Sequence, residues 1–343
     1  MTVTLLVTGA SGFIGSRVAD AARRRPDVRL RLLSRRTPPH AAGSGDLGGG
    51  TAAGAGGPAD PPPRQGGRTP PPPPRRVVGD ETVPGDLADP PSLRGGCAGV
   101  DVLVHCASQI GGDPGVAAAV NDVGTRALVE DAVRHGVRRI VYVSTAAVYG
   151  PGPFRGVRPG DVPLAPASAT SRTRAAAERH VLEAGGLVLR PHLVYGPGDR
   201  WVVPGLVGLL RELSAAVTGC EALQSMIDVR TLGRAVVAAA LSPAHGPGVH
   251  HVNHPEPVRA SELVATVCAQ VEDPGGGAVV DVATARERAA GSARALHHLA
   301  LLTVDHWFAD DGFWKGLDCV PGEGFAGAFT RSAPWYRSFL RAS

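Results

Sequence analysis

Three glycines, Gly9, Gly12 and Gly15, follow the apolar run Val3-Thr4-Leu5-Leu6-Val7 directly, spaced G-x-x-G-x-x-G. Glycine lets a chain turn tightly, and it lets backbone N–H groups approach an anion at the positive start of a helix. The chemistry that suits this spacing is pyrophosphate binding. It makes Gly9, Ser11, Gly12, Phe13, Ile14 and Gly15 the candidate cradle of a dinucleotide. About 20 residues further on, a second β-like run ends in Ser34-Arg35-Arg36. An acid at that point would bind the ribose 2′-hydroxyl of NAD, whereas arginine suits the 2′-phosphate of NADP. Arg35 and Arg36, with no competing acid, therefore point to NADP, with NADPH as the hydride donor.

The cradle needs a strand before it and a helix after it. The run Val3–Val7 supplies the strand, and an amphipathic stretch to about Arg25, stopped by Pro26, supplies the helix. Val28–Leu33 completes a β-α-β unit. Residues 37–76 then interrupt with Gly/Ala repeats and the run Pro70–Pro74; such a segment buries too little apolar surface to offset its ordering entropy, and a disordered insertion is expected. Alternation resumes with a strand at Val100–His105, a helix at Pro114–His135, a strand at Arg139–Ser144, a helix at Ser171–Glu183 and a strand at Leu187–Arg190. Repeated β-α order with apolar strands predicts an α/β fold, a doubly wound parallel sheet of the Rossmann kind. The expected division is a dinucleotide-binding domain over 1–190. A smaller substrate-binding lobe over 191–343 follows, partly interleaved with it.

Composition narrows the class. A chain of 343 residues makes one large domain or two ordinary ones. The net charge of +4 comes without a Lys/Arg block, so no nucleic-acid partner is expected. Five cysteines, Cys97, Cys106, Cys220, Cys268 and Cys319, include no C-x-x-C pair, which predicts free thiols and no metal site. No apolar run approaches the roughly 18–20 residues that span a bilayer, and the start lacks a secretory pattern. A cytoplasmic protein with no membrane partner is expected. The sequence carries no signal of oligomeric state.

Beyond the cradle, ordered blocks recur: Gly85-Asp86-Leu87, His105-Cys106-Ala107-Ser108, Asn121-Asp122-Val123-Gly124-Thr125, Val141-Tyr142-Val143-Ser144-Thr145-Ala146-Ala147-Val148-Tyr149-Gly150 and Leu189-Arg190-Pro191-His192-Leu193-Val194-Tyr195-Gly196-Pro197-Gly198. With these the chain resembles the extended short-chain dehydrogenase/reductases, the NAD(P)-dependent epimerase/dehydratase family. Pro334-Trp335-Tyr336-Arg337 resembles that family's usual ending. The resemblance implies that Asp86 and Leu87 flank the adenine and that Cys106, Ala107 and Ser108 line the cofactor. It also implies that Pro191, His192 and Leu193 lie beside the nicotinamide.

The family works with a Ser/Thr and a Y-x-x-x-K pair, in which Tyr exchanges a proton with the substrate oxygen. Thr145 stands at the Ser/Thr position. Matching Arg174 and Glu178 to the family's K-x-x-x-E puts Thr170 where Tyr belongs and Arg174 where Lys belongs. No Y-x-x-x-K exists elsewhere: the sole lysine is Lys315, and four residues before it stands Asp311. An aliphatic hydroxyl lies far above the phenol pKa of about 10, so Thr170 is no acid; Arg174 can hold ribose but is a poor proton relay.

Three readings compete. One is a reductase with another proton source, the second a silent cofactor-binding sensor or scaffold, and the third a sugar-nucleotide epimerase or dehydratase with an unusual base. The third fits least, because Leu193 and Gln224 replace an Asn and a phosphate-binding Arg that such enzymes often carry. In the first, Thr145 and Ser108 hold the carbonyl oxygen. His192, with an unperturbed pKa of about 6.5, orients the substrate or relays a proton. The proton then comes from substrate or water. A phenol beside the ketone would serve, as in aromatic polyketides, on which some atypical ketoreductases of this superfamily act. The expected activity is thus NADPH-dependent reduction of an aromatic or polycyclic, polyketide-like ketone in specialised metabolism. Nine aromatics between Trp307 and Phe339 either line an apolar pocket or form a small core, and Pro204–Ala216 is a candidate lid.

Overall fold

The structure, a computed structural model, describes residues 2–35 and 79–342. The 37–76 insertion and Arg36 lie outside the described residues. Seven parallel strands form the main sheet, in the order Gly248–His251, Leu187–Arg190, Arg139–Val143, Val102–His105, Val3–Thr8, Val28–Ser34, Glu81–Pro84. The near-continuous apolar runs have this origin: a parallel strand covered on both faces needs apolar side chains on both. Leu5 and Val7 pack on one face with Val18 and Ala22 of the helix Phe13–Ala22 and with Leu232 and Ala235 of the helix Val229–Leu241. Leu6 and Leu103 pack on the other, with Leu128 and Ala132 of Thr125–Arg134 and Ala177 and Val181 of Ala169–Glu183. Gly233 lets the first two helices touch, since a Cβ there would lie 2.6 Å from the Arg17 carbonyl oxygen.

Strand order reverses direction at Val3–Thr8. Its C-terminal residue Thr8 pairs with Leu33 on one side and His105 on the other. The crevice at such a switch point is where parallel α/β sheets bind ligands.

The structure bears on three expectations. The sheet does not end near residue 190: the helix Val229–Leu241 and the edge strand Gly248–His251 return from the later sequence, so the interleaving runs deep. The segment proposed as a lid forms the helix Val203–Leu213. Its Leu206, Val207, Leu209, Leu210 and Leu213 are buried in the core of the second lobe, which leaves it no freedom to close over anything. Of the two readings of the nine late aromatics, core holds for the five that are buried. Phe325, Phe329 and Tyr336 fill that same lobe, while Phe313 packs under the sheet and Phe308 stacks on Tyr149.

One local departure matters for the site. The helical run Pro114–Ala117 continues through Ala118–Gly124 as π-helix before Thr125–Arg134, and it thereby places Asn121 against the neighbouring helix. Among the described residues the five cysteines are free and no cluster of metal-ligating side chains forms. Among those residues, too, no helix is long and apolar enough to cross a membrane.

Candidate active site

The glycine turn is built for close approach. Gly9 has φ +68°, and a Cβ on it would lie 2.7 Å from the Ala107 backbone. A Cβ on Gly15 would lie 2.2 Å from the Gly9 carbonyl oxygen. Gly12 donates its N–H to that same oxygen at 2.8 Å and caps the helix Phe13–Ala22. Ser11 is exposed, with Phe13 and Ile14 half-buried beside it.

Across the switch point the buried Thr8 hydroxyl accepts the N–H groups of Cys106 and Ala107, each at 3.2 Å. Its own hydrogen then goes to His105 Nδ1 at 2.6 Å, which leaves His105 Nε2–H to donate to Thr125 Oγ1 at 2.9 Å. Burial pushes the His105 pKa down to about 3, so this ring is a neutral strut. Burial also pushes the Cys106 thiol up to about 12, which keeps it protonated and unreactive. Further out, Gly124 lets the 118–134 helical run meet the turn at Leu87, since a Cβ there would lie 2.3 Å from the Leu87 carbonyl oxygen. Asp86 shapes that turn by accepting the Ala88 N–H at 3.0 Å. Arg35 stands exposed just past the strand Val28–Ser34.

The second group of predicted residues gathers at the C-terminal ends of the central strands. Thr145 follows Arg139–Val143, and its hydroxyl oxygen accepts the Ala147 N–H at 3.2 Å. Pro191 lies beside it, because the Ala146 N–H donates to the Pro191 carbonyl at 2.8 Å. The Ser108 hydroxyl donates inward, to Asn121 Oδ1 at 3.2 Å. Thr170 accepts the Gly111 N–H at 3.2 Å. Arg174 is buried: Nη2 donates to the Val143 carbonyl at 2.6 Å, the guanidinium sits 5.9 Å from the Tyr142 ring centre, and Nε has no partner.

His192 corrects an expectation. Its half-buried ring stacks on His306 at 5.1 Å, and burial together with the neighbouring His306 pushes its pKa down to about 3. The ring is neutral at physiological pH and does not act there as a cationic acid. The Leu193 N–H goes to the Ser225 carbonyl at 3.2 Å, and its side chain joins the apolar core of the second lobe.

Two structural hubs lie in the blocks quoted above, with roles the motif reading did not give them. Asn121 uses both amide ends, accepting from Ser108 and the Gln109 N–H and donating to the Gln109 carbonyl and Thr173 Oγ1. It locks the loop after Val102–His105 to the helix Ala169–Glu183. The second hub is a buried ion pair, in which Arg190 Nε donates to Glu178 Oε1 at 2.9 Å while Nη1 donates to the Tyr149 hydroxyl at 2.6 Å. Glu178 also accepts from Ser144. A charge closing the apolar strand Leu187-Val188-Leu189-Arg190 was the available signal.

The cradle at Gly9 and Gly15 and the orphaned Nε of Arg174 fit a dinucleotide: the first admits a pyrophosphate against bare backbone, and the second offers a buried donor where a ribose hydroxyl can be held.

A family model described as NAD dependent epimerase/dehydratase family matches residues 5–253, from the first strand of the sheet to just past its last. The chain belongs to this family. Among curated relatives, a 2-alkyl-3-oxoalkanoate reductase of Stenotrophomonas maltophilia is 31% identical over 218 residues, covering 58% of this chain and 65% of that protein. A decarboxylating sterol-4-alpha-carboxylate 3-dehydrogenase of Saccharomyces cerevisiae is 36% identical over 136 residues, 36% of this chain and 38% of the relative. The chain thus matches less than two thirds of the length of either. Likeness in fold extends beyond those residues. The crystal structure of a dTDP-glucose 4,6-dehydratase from Bacillus anthracis in complex with NAD superposes with a TM-score of 0.69 at 16% identity, covering 99% of this chain and 98% of that one.

Proposed function

We propose that this family member is an NADPH-dependent ketoreductase acting on a polycyclic, polyketide-like ketone in specialised metabolism, with the proton drawn from the substrate or from water. The observation that carries the reading is the burial of every tyrosine. The chain has four, Tyr142, Tyr149, Tyr195 and Tyr336, and none is more than 2% exposed. The Tyr149 hydroxyl is held by Arg190 and by His251 Nε2 at 2.8 Å, and the Tyr336 hydroxyl by Gly196 and Asp199. Those two phenols are committed to protein partners, and Tyr142 and Tyr195 lie in buried side chains.

Groups suited to orienting a carbonyl remain. Because the Thr145 oxygen accepts from Ala147, its own hydrogen is free to donate to a substrate oxygen. Ser108 would have to turn away from Asn121 to join it. Arg174, through its unpartnered Nε, is the candidate holder of the nicotinamide ribose, and Arg35 of the 2′-phosphate. The bound cofactor would supply the hydride. The names of the two relatives support redox chemistry at an oxo or hydroxyl carbon, one of them on a sterol, which is polycyclic. A sugar-nucleotide substrate is disfavoured, since Gln224 is fully buried with both ends of its amide engaged and cannot reach a phosphate.

The test is NADPH consumption by the purified chain against phenolic polycyclic ketones and sugar nucleotides, with NADPH and NADH titrated by fluorescence alongside. Oxidation with a phenolic ketone is expected, and Thr145→Val should lower it at least about tenfold. Tight NADPH binding without turnover on any ketone would replace this reading with that of a silent cofactor-binding protein.

A further inference from the structure

The hydrogen-bonding state of His192 can be read from its neighbours. The Val304 carbonyl can only accept, and it takes Gln224 Nε2 at 2.8 Å. That contact fixes the buried amide, so the end facing the histidine is Oε1, itself an acceptor. His192 Nε2 lies 3.2 Å from this oxygen and must therefore carry a hydrogen. The same Val304 carbonyl takes His306 Nδ1 at 3.1 Å, which sets the ring stacked on His192. A neutral imidazole carries one hydrogen, and in His192 that hydrogen is on Nε2. Nδ1 is left with a lone pair and takes no hydrogen bond among the described residues. The backbone reinforces the pose, as the His192 N–H donates to Asn253 Oδ1 at 2.9 Å.

We propose that His192 Nδ1 is a dedicated hydrogen-bond acceptor for a hydroxyl group of the substrate, with Gln224 the positioning residue that fixes its tautomer. The inference rests on the ketoreductase reading for the site it serves, and it narrows the substrate to ketones that also carry a hydroxyl. An ether or a bare carbonyl oxygen at Nδ1 would set lone pair against lone pair, so the site selects by rejection as well as by attraction. It also gives the neutral histidine a role that needs no titration.

The experiment has two arms on the full chain. In the first, nitrogen NMR of histidine-labelled protein at about pH 7, with the His192 signals assigned through His192→Phe, reads the tautomer directly. Hydrogen on Nε2 and a bare Nδ1 are expected in the wild type. Gln224→Met should give a mixture of tautomers. Hydrogen on Nδ1 in the wild type would overturn the proposal without reference to any substrate. In the second arm, binding of 1-hydroxy- and 2-hydroxyanthraquinone is compared with that of their methyl ethers, in the presence of NADPH and at about pH 6, where a phenol keeps its proton. At least one hydroxyl isomer is expected to bind about tenfold tighter than its ether, and that ratio should fall to near one in His192→Phe. Equal binding of every pair, binding of none, or a ratio that survives in His192→Phe would each overturn the proposal. NADPH oxidation is followed in the same samples. A hydroxyl preference that depends on His192 but comes with no oxidation would sink the ketoreductase reading and leave the acceptor standing.

Discussion

Replacing Glu178 with leucine tests whether the buried ion pair holds the strand ends that carry the site. Arg190 and Glu178 expose only 5% and 2% of their side chains. Arg190 spends Nε and Nη2 on the carboxylate and Nη1 on the Tyr149 hydroxyl, while its guanidinium carbon lies 4.8 Å from the Tyr149 ring centre. Leucine removes every carboxylate acceptor, so a guanidinium out of contact with water keeps one phenol oxygen as partner. Breaking a buried pair in this way costs about 3–5 kcal/mol, mostly as the penalty of the stranded charge. With a urea m-value of about 3 kcal/mol/M, the unfolding midpoint should fall by roughly 1 M or more. Removing both charges, in Glu178→Leu with Arg190→Met, leaves no stranded ion and should recover most of the loss, to within about 2 kcal/mol of the parent. Urea unfolding of the parent, both single variants and the double variant closes the cycle. A Glu178→Leu loss below about 1 kcal/mol, or a double variant no more stable than the single, would refute the assignment of a dry pair.

Gly15→Ala should raise the dissociation constant for NADPH more than about tenfold by fluorescence titration, because its Cβ would meet the backbone oxygen of Gly9 at 2.2 Å and the turn itself must move; unchanged affinity would remove this turn from the cofactor site. Arg35→Ser should weaken NADPH but leave NADH binding nearly unchanged, and equal losses for both would end the 2′-phosphate assignment. Stability should also fall in mild acid. His105, His192 and His251 are held at about 3, 3 and 4 by burial, below an ordinary value of 6.5, so the unfolded chain binds protons that the folded one refuses. Their contribution is complete above about pH 6.5 and is lost as pH falls toward 4, at up to about 1.4 kcal/mol per pH unit for each ring. His192→Phe should flatten the slope of unfolding free energy between about pH 6 and pH 4, and an unaltered slope would mean that its ring titrates normally.

Local physics made the first β-α-β unit and the later strands legible in the sequence. Apolar runs of strand length, a glycine triplet where backbone must meet backbone, and an amphipathic stretch stopped by Pro26 are properties of neighbouring residues, so the β-α-β unit and the later strands follow from them. The missing Tyr and Lys were equally plain, since residue identity alone removes them. Tertiary structure decided what depends on meetings between distant segments. That Val229–Leu241 and Gly248–His251 return to the sheet, and that Val203–Leu213 is core rather than lid, are matters of what each apolar face finds to cover it. The π-helical turn that aims Asn121 at Ser108 and Thr173 arises in the packing of two helices. His192 shows the difference most clearly. Its identity marked it in the sequence as a group of ordinary pKa, but its charge and tautomer come from Gln224, Val304 and His306, which are 32, 112 and 114 positions away along the chain. A protonation state is set by desolvation and by the hydrogen-bond partners at hand, and only the folded chain brings those together.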